Sequence, residues 1–310
     1  MKPAPPGRLI DIGTHRLHIN CAGSGAPAVI FDAALGGSSL SWALVQPGVA
    51  RVTRACAYDR AGFSWSEAGP FPRTAGRIAG ELHTLLQAAG VPPPYVLVGH
   101  SFGGLVVRLF AQRHPDLTAG LVLLDPAHPE HWADPADKER VSIDRGVRLC
   151  RQGAWAARLG VARVVASLAG LGALRPARAL AALVSRGGLR REDESILAPA
   201  WKLPPDIRRP LRRFWTEEKF YAALGSQIES ICESAREVAA TGESGFGDRP
   251  TVVISAGNAD EDRLRLQEAL AAKSSRGRHV IAEGSGHWIP LDRPEVVVRA
   301  IEEVVEACRR

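Results

Sequence analysis

The apolar run Tyr95-Val-Leu-Val98 passes directly into Gly99-His-Ser-Phe-Gly-Gly104, and helical spacing then continues to His114-Pro115. An uninterrupted apolar run of this length reads as a strand buried on both faces, hence a central strand of a sheet covered on both sides. Such a strand can enter a helix only through a sharp turn. Glycines two before and two after Ser101 let the neighbouring backbone approach without Cβ clashes. The turn points the serine hydroxyl outward, and the helix that opens there aims free N–H groups and a positive dipole end at the same space.

The flanking sequence repeats the strand-then-helix pattern. Arg8 to Ile12 and Arg16 to Cys21 read as two strands joined by a turn at Gly13. Ala28 to Phe31, Val52 to Tyr58 and Gly120 to Leu124 are further apolar runs. Thr74 to Ala89 has helical spacing, with Ile78, Leu82, Leu85 and Leu86 on one face. Alternation of this kind predicts a mostly parallel sheet flanked by helices. After Asp125 the pattern changes. Residues 127–247 hold helix-like segments and no convincing strand, with breaks at Pro135, Gly153, Gly170, Pro176 and Pro204-Pro205. Strands return at Thr251 to Ser255 and Arg278 to Ala282, with a helix between them, and Pro294 to Cys308 closes as an amphipathic helix. The expected organisation is an α/β core of residues 1–126 and 248–310, interrupted by a helical cap of residues 127–247. A chain of 310 residues with 45% hydrophobic content suits one such core and excludes a disordered chain.

Five scattered cysteines, none at zinc-site or redox-motif spacing, predict no disulfide framework and fit a reducing cytoplasm. The start, Met1-Lys-Pro-Ala-Pro-Pro-Gly7, lacks the apolar stretch of a signal peptide. Val161 to Val184 is the nearest approach to a membrane span, but Arg163, Arg175 and Arg178 interrupt it. The formal charge is +6, and its excess is local: Arg140 to Arg191 holds eleven arginines against one acidic residue, Asp144. Arginines interleaved with leucines and valines there can cover an apolar pocket, contact an anionic membrane or lipid peripherally, attract an anionic substrate, or form a solvated helix face. Few aromatics interleave them, so nucleic acid is not an expected partner. Gly23-Ser-Gly-Ala-Pro-Ala28 fits a dinucleotide fingerprint formally, yet it precedes a strand and reads as a turn. His128-Pro-Glu-His131 fits no zinc signature. Neither a cofactor nor a metal is expected.

A serine on such a turn becomes a nucleophile only beside a base. His287, in Glu283-Gly-Ser-Gly-His-Trp288, follows the last strand and precedes the last helix, in a loop able to reach the carboxyl edge of the sheet. Two carboxylates end strands and can orient it: Asp260, after Val252-Val-Ile-Ser-Ala256, and Asp125, after Leu121-Val-Leu-Leu124. Asp260 takes precedence because its loop adjoins, in chain order, the strand carrying His287. Leu35, in Phe31-Asp-Ala-Ala-Leu-Gly-Gly-Ser38, and Phe102 are the expected backbone donors to an oxyanion.

Four segments together resemble the α/β-hydrolase superfamily, in its serine-nucleophile branch with a helical cap: Gly99 to Gly104, Tyr58-Asp-Arg-Ala-Gly-Phe-Ser-Trp-Ser66, Leu123-Leu-Asp-Pro-Ala127, and Gly286-His-Trp-Ile-Pro-Leu-Asp-Arg-Pro294. The resemblance covers residues 8–126 and 248–308; the cap shows no family motif. Ala33-Ala34 stands where many members carry His-Gly. The resemblance implies an α/β-hydrolase fold and places the acid after the strand Thr251 to Ser255 in most members, one strand earlier in some. Relatives that open epoxides or displace halide use a carboxylate nucleophile, so serine here implies ester, thioester, lactone or amide hydrolysis, acyl transfer, or carbon–carbon bond hydrolysis. The expected activity is that of a carboxylesterase or lipase-like enzyme on small or medium apolar acyl esters, through a triad and acyl-enzyme. A ligand-binding protein without turnover is the competing expectation.

Overall fold

A computed structural model describes residues 4–170, 176, 179–180, 202–242 and 245–310. Its centre is an 8-stranded sheet. The strands are β1 (Arg8–Asp11), β2 (Arg16–Ala22), β3 (Ala28–Asp32), β4 (Ala55–Tyr58), β5 (Tyr95–His100), β6 (Thr118–Leu124), β7 (Thr251–Ala256) and β8 (Gly277–Ala282). They lie in the order β1-β2-β4-β3-β5-β6-β7-β8. β1 and β2 pair antiparallel, as do β2 and β4; every later pair is parallel.

Helices cover both faces. On one lie α1 (Ala75–Ala88) and α2 (Phe102–Arg113); on the other lies α9 (Pro294–Arg309), the last helix of the chain. The alternation of strand side chains sorts the two cores. Along β5, Tyr95 and Leu97 pack with Leu82, Leu86, Leu105 and Leu109, while Val96 and Val98 pack with Val297, Ile301 and Val304. β6 repeats this, with Leu121 and Leu123 on the first side and Val122 and Leu124 on the second. Burial of both faces is why these strands read as unbroken apolar runs.

The described chain between β6 and β7 is helical: α3 (Asp137–Arg158), α4 (Val161–Gly170), α5 (Pro205–Phe214), α6 (Glu218–Glu229) and α7 (Ile231–Ala240). After β7 comes α8 (Glu261–Ala271). Much of the arginine-rich segment, including Arg175, Arg178, Arg186, Arg190 and Arg191, lies outside the described residues, as does most of the second half of Val161 to Val184. No helix among the described residues is long and apolar enough to cross a membrane. α6 sits directly on the core. A Cβ on Gly62 would lie 2.3 Å from that of Ala223, and one on Gly36 would lie 3.2 Å from Leu224 Cδ1.

One expectation is overturned. Cys21 of β2 stands opposite Cys56 of β4, with Cα atoms 4.0 Å apart, and their sulfurs are bonded. The two strands are neighbours in the sheet although β3 separates them in sequence, so spacing along the chain does not show the pairing. The inference of a reducing compartment from cysteine usage falls with it.

Candidate active site

β3, β5 and β6 are adjacent, and their carboxyl ends deliver three loops to one edge. β5 runs to His100, and Ser101 turns the chain into α2 with φ +55° and ψ −118°. A non-glycine residue at positive φ costs about 1–3 kcal/mol and persists only where its surroundings fix it. They do so here. The Ser101 N–H donates to Leu124 O (2.9 Å), and Ser101 O accepts from Gly104 N (2.9 Å) and Ala127 N (3.0 Å). The flanking glycines are required. A Cβ on Gly99 would lie 2.6 Å from Gly103 O, and one on Gly103 would lie 2.4 Å from Asp32 O. The Ser101 side chain makes no capping bond to its own helix.

β6 ends level with β5, since His100 pairs with Leu124. Asp125 follows, also at positive φ (+39°), with its N–H on Ile254 O at 2.7 Å. Its side chain is 1% exposed. His287 Nδ1 donates to Asp125 Oδ2 at 2.6 Å. The other carboxylate oxygen accepts from Gln267 Nε2 (3.1 Å) and lies 2.8 Å from Arg263 Nε. A buried carboxylate with these donors holds one position and fixes the ring that shares it. It fixes the tautomer too, leaving His287 Nε2 as the nitrogen open to a nucleophile's proton. The His287 side chain is 37% exposed, so this ring faces the opening.

The His287 loop is anchored independently. Gly286 N donates to Asp292 Oδ2 (2.9 Å), and His100 Nε2 donates to the His287 carbonyl at 2.7 Å. Burial pushes the His100 imidazole down to about 3, with the neighbouring His287 adding to the effect. His100 therefore stays neutral and serves as a fixed donor.

The preference for Asp260 is corrected by this geometry. Asp260 is exposed and caps α8, its Oδ1 accepting from Arg263 N at 2.8 Å. A carboxylate one residue ahead of a helix finds the helix's unpaired N–H groups first. Asp125 lies on the strand beside the serine, an adjacency that chain order conceals. The two acids meet on one residue: Arg263 gives its backbone N–H to Asp260 and its guanidinium to Asp125.

Leu35 lies on the loop after β3, and Phe102 is the first residue of α2, directly after the serine. Ala34 to Gly37 forms a turn closed by Gly37 N to Ala34 O (3.0 Å), with Gly36 at φ +71°. Among the described residues, nothing accepts from the N–H of Leu35 or of Phe102. Asp32, Arg60, His100, Arg263 and Gln267 are additions that sequence reasoning did not single out. His100 sits inside the glycine motif itself, and Asp32 is a charge closing an apolar strand; those were the available signals. Nothing local marks Arg263 or Gln267.

A family model for the alpha/beta hydrolase fold matches residues 27–294. The Hormonema carpetanum protein named "Probable transporter efuK" is 25% identical over 327 residues, taking in 96% of this chain and 42% of efuK, so this chain spans less than half of that relative. A thermophilic esterase from Thermogutta terrifontis superposes with a TM-score of 0.65 at 19% identity, covering 96% of this chain and 95% of the esterase. A variant of a Pseudomonas aeruginosa protein named for epoxide hydrolysis superposes with a TM-score of 0.73 at 17% identity, over 97% and 96% of the two chains. At these identities the solved structures speak to fold alone.

Proposed function

This chain belongs to the α/β-hydrolase fold family, and from that premise we propose that it is a serine hydrolase of carboxylic esters. Ser101 Oγ attacks the ester carbonyl carbon while His287 Nε2 takes the hydroxyl proton. The Leu35 and Phe102 amides hold the resulting oxyanion. Collapse of the tetrahedral intermediate breaks the bond to the leaving alcohol, which receives the proton from His287. Water then attacks the acyl-enzyme, with His287 as base, and releases the acid and free Ser101. Asp125 keeps the imidazole in the tautomer that this exchange needs.

The observation that carries the reading is the 2.6 Å bond between His287 Nδ1 and a buried Asp125, one strand from a serine held at positive φ. Serine at the turn, in place of a carboxylate, supports ester chemistry over epoxide opening. Leu224, against Gly36 of the oxyanion loop, supports an apolar acyl group.

The test is a panel of nitrophenyl esters of increasing acyl length, with lactones and amides beside them. The expected result is turnover of short and medium esters that Ser101→Ala abolishes without altering the melting transition. Turnover that survives Ser101→Ala contradicts the reading. Transfer of the acyl group to an added alcohol would identify an acyltransferase instead, and an absence of turnover with all substrates a binding protein.

A further inference from the structure

Beneath the oxyanion loop lies a buried charged network. Asp32, closing β3, is fully buried, and Arg60, just past β4, is 2% exposed. Tyr58 Oη donates to Asp32 Oδ2 at 2.6 Å, and Arg60 Nε donates to Asp32 Oδ1 at 2.8 Å. Pairing with Asp32 uses only part of the guanidinium. Arg60 Nη1 donates to the Ala34 carbonyl at 3.3 Å, and Nη2 to the Ala33 carbonyl as well as to Asp32. Its Cζ lies over the Phe102 ring, 5.1 Å from the centroid. A surface ion pair needs none of this, and burying an arginine is costly unless its donors are used.

These contacts fall on the peptide groups that matter. In a planar trans peptide the carbonyl of one residue and the N–H of the next point in opposite directions. Holding Ala34 O therefore fixes where the Leu35 N–H points, away from Arg60. Holding Ala33 O fixes the preceding peptide, and the guanidinium over the Phe102 ring restrains the residue carrying the second donor. A cation on the Ala34 carbonyl also polarises that peptide and strengthens its N–H as a donor. We propose that Arg60, seated by Asp32 and Tyr58, is the positioning residue that aligns both halves of the oxyanion hole. The inference rests on the ester-hydrolase reading above. It gives Arg60 no contact with the substrate.

The test compares wild type with Arg60→Gln and Arg60→Lys on the best nitrophenyl ester, and measures inhibition by a trifluoromethyl ketone and the matching methyl ketone. Only the former adds to the serine and places an oxyanion between the two amides. Loss of alignment is expected to lower kcat roughly 30-fold, short of the loss of a whole oxyanion donor, with KM changing less than about threefold. The ratio of the two ketone affinities falls by the same factor. Lysine reaches Asp32 but not both carbonyls, so Arg60→Lys shows the same fall and carries the test if Arg60→Gln does not fold. An unchanged ketone ratio in a folded variant overturns the inference, whatever happens to stability. A wild type that turns over no ester overturns the hydrolase reading first, and this inference with it.

Discussion

Among the described residues, two histidine–aspartate pairs bring a ring Nδ1 close to a buried carboxylate. In one, His287 Nδ1 lies 2.6 Å from Asp125; in the other, His18 Nδ1 lies 2.8 Å from Asp59. Their surroundings separate them. His18 and Asp59 are both fully buried, the His18 ring packs on Trp65 with centroids 4.8 Å apart, and Asp59 also accepts from Ser39 N at 2.7 Å. Neither nitrogen of the His18 ring makes a hydrogen bond or meets solvent, whereas His287 Nδ1 is bonded to its aspartate. That pair ties β2 to the segments that follow β3 and β4. His287 instead keeps one face open, and its carbonyl accepts from His100, the residue before a serine at a strained turn. A histidine–carboxylate pair becomes chemistry only when the second ring nitrogen has somewhere to send a proton.

The same substitution at both positions separates the two roles. His287→Phe is expected to reduce ester turnover roughly 10⁶-fold, as loss of a triad base does, with little change in melting. His18→Phe is expected to cost about 3 kcal/mol in a denaturant titration, because it takes a polar ring away from a buried carboxylate, while kcat per folded molecule stays within about threefold. A large kcat loss in folded His18→Phe would erase the distinction.

His100 sharpens the comparison through pH. Its folded pKa is depressed to about 3 from 6.5, so between those values the unfolded chain holds a proton that the folded one lacks. Stability from this group is full above pH 6.5 and drains as pH falls toward 3. A series of denaturant titrations should show roughly 3 kcal/mol lost from this group by about pH 4, a slope that His100→Asn removes. An identical acid slope in the variant would mean that the ring titrates normally.

The smallest effect belongs to Asp260. Asp260→Ala should cost about 1 kcal/mol, the value of an N-cap, and leave kcat unchanged. A loss near that of His287→Phe would return Asp260 to the catalytic role that the sequence favoured.

Most of the architecture was legible in the chain, because the unbroken apolar runs of β3, β5 and β6 and the glycines around Ser101 are local signals. Ser101 and His287 followed from the same source: one sits in the motif, the other in a glycine-rich loop after the last strand. Whatever depends on which strands are neighbours was not legible. Asp125 outranks Asp260 because β6 lies beside β5, and Cys21 meets Cys56 because β2 skips over β3 to reach β4. Arg60 escaped notice for a different reason: in a sequence an arginine reads as solvated, and only the fold reveals that its donors are spent on carbonyls.

The most direct measurement is the intact mass of the native protein after exposure to a fluorophosphonate, with the modified residue located by peptide mapping. The expected result is a single adduct on Ser101, lost in Ser101→Ala and formed far more slowly in Asp125→Asn. An unlabelled Ser101 in protein that still hydrolyses esters, or an adduct on another side chain, would contradict the assignment of this serine as the nucleophile.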